Sequence, residues 1–310
     1  MCYNIRMRQN SDTSSKFSFY SILPLVTAMV WGFGFVAQVS GAESVPPVFF
    51  NAVRFTLGGL ILIPVAALLD KKDKDFKETI KLAFYGGCIL FLASTFQQLG
   101  LAYTGSAAKG GFITALYAIM VPILEFCFFK KKVSVSLWIS VLLSIIGCFL
   151  IFRGSDTTGE SLLHITKGDI LLLINAFLFA VHIIYVDRVV DKIRSVTYAS
   201  AQFLTVGVFS LIFAFVFEEP TFEAIKDGLI PILYGAIGSC AIGFTLQIFA
   251  QRSKTPVLTG IMFSTEGMFA LLGGAIILKE RLSPLSIIGS LLILSAVILS
   301  EVSKITKKDT

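Results

Sequence analysis

The sequence predicts an all-α integral membrane protein with ten transmembrane helices arranged as two inverted five-helix repeats. Three observations carry this. Of the 310 residues, 55% are hydrophobic and only 15% charged, whereas a soluble domain carries about a quarter charged residues. Apolar runs near the bilayer-crossing length of roughly 20 residues recur along nearly the whole chain, and the mean hydropathy is +0.82. The second half also repeats the plan of the first.

Backbone in lipid must satisfy its own hydrogen bonds, so the choice lies between helices and a closed barrel. A barrel needs short alternating segments; these runs are continuously apolar, which selects helices. The spans expected are 18–39, 46–69, 80–101, 107–129, 133–152, 168–187, 195–216, 229–251, 256–278 and 283–302. The opening "MCYNIRMRQNSDTSSK" is polar and basic. The first apolar run has full spanning length and no small-residue cleavage site after it, which reads as an uncleaved helix. The five cysteines are odd in number and four fall inside spans, so they read as small core residues and not as disulfides or metal ligands.

Charge sets the orientation. One face collects Arg6, Arg8 and Lys16; Lys71, Lys72, Lys74, Lys77 and Lys81; Lys130, Lys131 and Lys132; Arg188, Lys192 and Arg194; Arg252 and Lys254; and Lys304, Lys307 and Lys308. The other collects Lys109, Arg153, Lys167, Lys226, Lys279 and Arg281. Because Lys and Arg in short loops mark the cytoplasmic side, both termini are expected in the cytoplasm. Topology alone then accounts for the net charge of +6, and no nucleic-acid partner is expected.

The loop "RGSDTTGESLLHITKGD" divides the chain near its middle. Sliding the sequence by about 148 residues lays "TAMVWGFGF" over "NAFLFAVHI" and "NAVRFTLGG" over "YASAQFLTV". One further step lays "FFKKKVSVSLWISVLLS" over "ILKERLSPLSIIGSLLI", with Ser134 over Ser283. Five spans per half make the second half enter the membrane in the opposite sense. Such inverted repeats are a transporter signature, with a shared site near the midplane. The expected organisation is an N-terminal tail (1–17), a first repeat (18–152), a linker (153–167), a second repeat (168–302) and a C-terminal tail (303–310).

"GLAYTGSAAKGGFITALYAIMVPIL", the clip "LKER", and "NAFLFAVHIIYVDR" with "AQF" after it resemble a tandem EamA-domain protein of the drug/metabolite transporter superfamily. The resemblance covers roughly residues 20 to 302. It implies an inner-membrane carrier of small metabolites, often an exporter, with a cavity between spans one, three, four, six, eight and nine. One departure stands out: where the second repeat of that family often has proline after its span-nine acid, Gly267 follows Glu266 here.

An ionisable group in the bilayer interior costs about 2.5 to 3.5 kcal/mol on insertion scales, so each is a functional candidate. Glu266 sits near the middle of span nine, over Tyr117 in the repeat. It suits a proton carrier, an anchor for a cationic substrate, or a structural hydrogen-bonded acid. His182 in span six shares a stripe with Asn175 and Phe179, and suits either proton coupling or an interhelical tie. Trp31, Gly34 and Gln38 on span one face either a cavity or a neighbouring helix. Of the adjacent pair Gln97 and Gln98, one is expected to face the cavity and the other a helix. Thr114 and Tyr117 share a face of span four, above Pro122, where disruption of the helix is expected. Arg54, with Gln202 as its mate, reads as a helix tie, as a group snorkelling outward, or as a contact for a substrate carboxylate. Lys109 belongs at the mouth, and Glu125 is expected to snorkel towards the Lys130 to Lys132 clip. Gly235, Ser239 and Gly243 have close-packing spacing.

The residues chosen for the substrate pathway are therefore Trp31, Gln38, Gln97, Thr114, Tyr117, Phe179, His182 and Glu266, with Glu266 and His182 the candidates for proton coupling. No cofactor or metal is expected, since no metal-ligand spacing and no phosphate loop is present. The function expected is secondary transport of a small organic metabolite, an amino acid or related solute, by export across the cytoplasmic membrane. The alternative is a membrane-embedded enzyme acting on a lipid-linked substrate, although the loops offer no convincing nucleophile, metal site or acidic pair. A passive channel fits less well, because the polar residues gather near the midplane. The partners expected are the solute and the lipid bilayer, with a homodimer left open.

Overall fold

In the computed structural model, residues 19–70, 73–155, 165–252, 254–279 and 282–306 are described. Among them, ten helices are long and apolar enough to cross a membrane: α1 (Ile22–Ala42), α2 (Pro47–Leu69), α3 (Phe76–Thr104), α4 (Ala107–Phe129), α5 (Val135–Gly154), α6 (Lys167–Val189), α7 (Ser195–Phe217), α8 (Leu229–Gln251), α9 (Pro256–Leu278) and α10 (Pro284–Val302). The expected tail charges Arg6, Arg8, Lys16, Lys307 and Lys308, loop residues Lys71, Lys72 and Arg281, Cys2 and most of the central linker lie outside the described residues. Spans and expected runs agree within a few residues except at α3. There an Asp75 side chain caps the Lys77 amide and a left-handed Gly105 ends the helix, giving 29 residues in all.

Large apolar side chains such as Leu60, Ile63, Phe128, Phe217 and Ile276 point outward. In water so large an apolar surface would drive association; against lipid tails it is the expected exterior. With alternating helix directions, the loops after α1, α3, α5, α7 and α9 share one face, here the linker face. The loops after α2, α4, α6 and α8 share the other, the terminus face.

The inverted repeat is visible in the backbone. In α4 the helix tightens at Ala115 and Leu116, where ψ shrinks to −12° and −14°. The Leu116, Ala118 and Ile119 amides there reach back three residues to carbonyls, at 3.0 to 3.2 Å. In α9 the same happens 149 positions on, at Ser264 and Thr265, with ψ of −15° and −12°. Ser106 and Thr255 side chains cap the two starts, and left-handed Lys130 (φ 54°) and Lys279 (φ 58°) end them. The break thus lies before Tyr117 and Glu266, not at Pro122, which sits inside a continuous helical segment. Removing one amide at Pro122 leaves the flanking helical turns intact, whereas the shift to three-residue bonding at 115–116 re-aims everything after it.

Helices α2 and α7 pack along one another, as do α5 and α10. The first pair carries a reciprocal cap. The Glu218 carboxylate, just past α7, accepts from the Val48 and Phe49 amides at 2.9 and 2.8 Å. Asp70, just past α2, accepts from Val196 and Thr197 at 3.1 and 2.6 Å. All three correspondences share an offset of 148. Each carboxylate satisfies amides that a helix start leaves open and sits at the positive end of the helix dipole.

Candidate functional site

A narrow cavity of about 20 Å³ lies between the two halves, lined by Trp31, Phe35, Gln38, Arg54, Phe55, Ser94, Gln97, Thr114, Tyr117, Phe179, Ser239, Phe244 and Glu266. It lies between the midplane and the linker face. Arg54, Gln97 and Thr114 sit about two turns, and Gln38 about one turn, from the linker-face ends of their helices, and Trp31, Phe179 and Glu266 are mid-span. Phe179 and Phe244 form the floor, their rings stacked 6.3 Å apart, with Trp31 against Phe244 at 4.7 Å. Below it, Ala118, Val121, Ile183, Val186, Ile248, Leu258 and Ile261 pack into a continuous apolar cluster, which closes the terminus half to water.

At the floor, Tyr117 donates its hydroxyl to Glu266 Oε1 at 2.8 Å. Both are buried. The tightened turns preceding each residue bring the two repeat mates face to face. Thr114, one turn away, donates to Asn175 Oδ1 at 3.0 Å, while Asn175 Nδ2 donates to the Ala93 carbonyl at 2.9 Å. Three helices, α3, α4 and α6, are joined at this depth by neutral hydrogen bonds, which satisfy polar groups that lipid could not.

Of the eight pathway residues chosen from sequence, the cavity brings together Trp31, Gln38, Gln97, Thr114, Tyr117, Phe179 and Glu266. His182 stands apart. It lies behind the floor, fully buried, edge-on to Phe179 and Phe244 and 3.2 Å from Gln202 Oε1, an interhelical position. Gln97 faces the cavity while Gln98 donates to the Gln38 carbonyl at 3.0 Å. The Gly235, Ser239, Gly243 series packs tightly: a Cβ on Gly235 would meet Arg54 Cδ at 2.9 Å and one on Gly243 would meet Trp31 Nε1 at 2.6 Å. There α8 widens into π-helical turns over Tyr234–Phe244, and the Ser239 carbonyl accepts from Trp31 at 3.3 Å.

Sequence reasoning missed Phe35, Phe55, Ser94, Ser239 and Phe244 as lining residues, because phenylalanine and serine are common in membrane helices and only helix rotation distinguishes them. Of the roles open to Arg54, the snorkel is the one the structure sets aside: Arg54 is 2% exposed, ties α2 to α1 through Gln38 and stands in the cavity wall. Glu125 behaves otherwise than expected and does not snorkel. It is buried and paired, to Lys131 as foreseen (2.8 Å) and also to Arg188 of α6 (2.7 Å), since a partner on the neighbouring helix removes the need to reach water. Lys109, at the linker face, pairs with Asp169 at 2.8 Å.

Comparison with known proteins agrees with this architecture. The sequence pattern described as "EamA-like transporter family" matches residues 18–153 and 166–301. An uncharacterized transporter of Archaeoglobus fulgidus is 30% identical over 274 residues, covering 88% of this chain and 83% of its own. The uncharacterized inner membrane transporter YedA of Escherichia coli K12 is 24% identical, covering 92% and 93%. One solved crystal structure, at 15% identity, superposes with a TM-score of 0.74 over 91% of this chain and 96% of that one, which establishes a shared fold. Two inverted five-helix halves, a midplane cavity between them and a sequence match to both halves lead to one conclusion: the chain belongs to the EamA-like transporter family.

Proposed function

We propose that this protein is a secondary transporter, and not an enzyme, that exports a small organic metabolite, an amino acid or related solute, across the cytoplasmic membrane by alternating access. The observation that carries the reading is the cavity itself. It lies inside the bundle on the linker-face side of the midplane, lined by residues of both halves, and is closed at its floor where Tyr117 of one half meets Glu266 of the other. A channel would need a continuous polar lining; here the terminus half is sealed by apolar side chains. Rocking one half against the other would part the floor and close the linker half, moving a bound solute without a through-pore. The two relatives, each named as a transporter, support the same class. The terminus face is the cytoplasmic one, in keeping with its excess of Lys and Arg.

The test is transport in proteoliposomes with a panel of labelled amino acids and organic cations, measured with and without a pH gradient. Saturable, protein-dependent movement of at least one solute is expected. If nothing moves while the protein consumes a lipid-linked substrate, the enzyme reading replaces this one.

A further inference from the structure

Arg54 is a buried cation in the wall of the cavity whose partners are all neutral. Its Nε donates to Asn51 Oδ1 at 2.9 Å and its Nη2 to Gln38 Oε1 at 3.3 Å. The guanidinium also lies 4.5 Å from the centre of the Phe55 ring. Among the described residues no carboxylate pairs with it. The other cations near the bundle interior are all matched: Lys109 with Asp169, Arg188 with Glu125, and Lys254 with Glu301. A guanidinium has five N–H donors, and a charge in such a place is costly unless it is paired.

Tying α1 to α2 does not require that charge. The repeat supplies the comparison, because the position equivalent to Arg54 is Gln202, which makes the corresponding bond between α7 and α6 through His182 as a neutral amide. One half therefore achieves the tie without a cation, and the other places a cation against the cavity. The second charge there, Glu266, is deeper and engaged by Tyr117. Arg54 is about two turns from the linker-face end of its helix.

We infer that Arg54 is the docking group for a carboxylate on the transported solute, so that the solute class is small organic carboxylates held by a charge-assisted fork in the linker half of the cavity. This rests on the transporter reading for the word "transported", but the docking can be measured without transport. A planar guanidinium matches a carboxylate bidentately, and Trp31, Phe55, Phe179 and Phe244 supply aromatic walls beside it, between which an apolar body can lie once the halves part to widen the cavity. The absence of a matching cation at Gln202 means that the carboxylate loses its counter-charge once the cavity opens to the terminus face.

The experiment uses the full-length protein in nanodiscs and follows thermal unfolding with benzoate, benzamide, benzylamine and phenylalanine at constant ionic strength. In the wild type, benzoate and phenylalanine raise Tm in a concentration-dependent way, and benzamide and benzylamine do not. This comparison needs no substitution and stands even if a variant fails to fold. In Arg54→Gln the apparent affinity for benzoate drops by about tenfold or more, the scale of a lost charge-assisted hydrogen bond, while Arg54→Lys retains part of it. The inference is overturned if neither carboxylate shifts Tm, if benzamide or benzylamine matches benzoate, or if Arg54→Gln binds benzoate as wild type does. Carboxylate binding without movement of any solute in proteoliposomes would keep the docking role and overturn the transporter reading.

Discussion

Tyr117 and Glu266, 149 residues apart and equivalent in the two halves, meet at 2.8 Å on the axis that relates those halves. A hydrogen bond between repeat mates can form only where the two halves touch, so it marks both the pseudo-symmetry axis and the cavity floor. Any motion that separates the halves at this depth must break it.

The first prediction concerns this pair. Glu266→Gln keeps a polar group opposite Tyr117 but removes the exchangeable proton. Solute binding is expected to persist, and the part of transport driven by a pH gradient to be lost, since an amide cannot carry the proton. Tyr117→Phe, which leaves the carboxyl unsatisfied, should weaken transport while retaining gradient dependence. Flux in proteoliposomes with and without a gradient separates the two; equal gradient dependence in Glu266→Gln and wild type would remove the carboxyl from coupling.

A second prediction follows from the reciprocal caps. Asp70→Asn and Glu218→Gln each weaken two amide bonds at the start of a neighbouring helix, at equivalent places. Each should lower stability by about 0.5 to 2 kcal/mol, the range for a lost N-cap, and the two losses should be alike. Unfolding in mild detergent measures this, and a large loss at one site with none at the other would contradict the equivalence.

Glu125 provides the third. Arg188→Met leaves the buried carboxylate with Lys131 alone, whereas Glu125→Gln and Arg188→Met together leave no buried charge. Because Arg188 is 31% exposed, solvent weakens the pair, and a coupling of about 1 to 3 kcal/mol is expected from a double-mutant cycle. Additive single-site losses would show that the two side chains do not interact.

Orientation is the fourth. In a background with all five cysteines replaced by serine, Glu43→Cys in the exposed loop after α1 should react with a membrane-impermeant maleimide on intact cells. Asp73→Cys, exposed in the loop after α2, should react only after permeabilisation. The reverse pattern would invert the topology proposed from charge.

Much of the architecture was legible in the chain because it depends on composition and length. Ten continuous apolar runs dictate ten helices whatever their packing, and an odd number per half dictates inversion. The midplane positions of Tyr117 and Glu266 follow from counting residues along a span, as does their equivalence. Even the loop charges follow local rules, which is why the positive face could be named before any fold was seen.

What the tertiary structure alone decided was rotation and partnership. The apolar moment of a membrane helix is weak because its lipid-facing and core-facing residues are both apolar, so the sequence could not say that Phe244 forms the floor or that His182 stands behind it. Nor could it show that the helix tightens at Ala115–Leu116 and Ser264–Thr265, where no proline or glycine stands. Glu125 and Arg54 show the same limit from the side of charge. Glu125 was expected to reach for water, and Arg54 was open between water, a helix tie and a substrate carboxylate, because a single span names no partner; in the folded bundle Glu125 finds Arg188 on α6, and Arg54 is held against Asn51, Gln38 and Phe55 in the cavity wall.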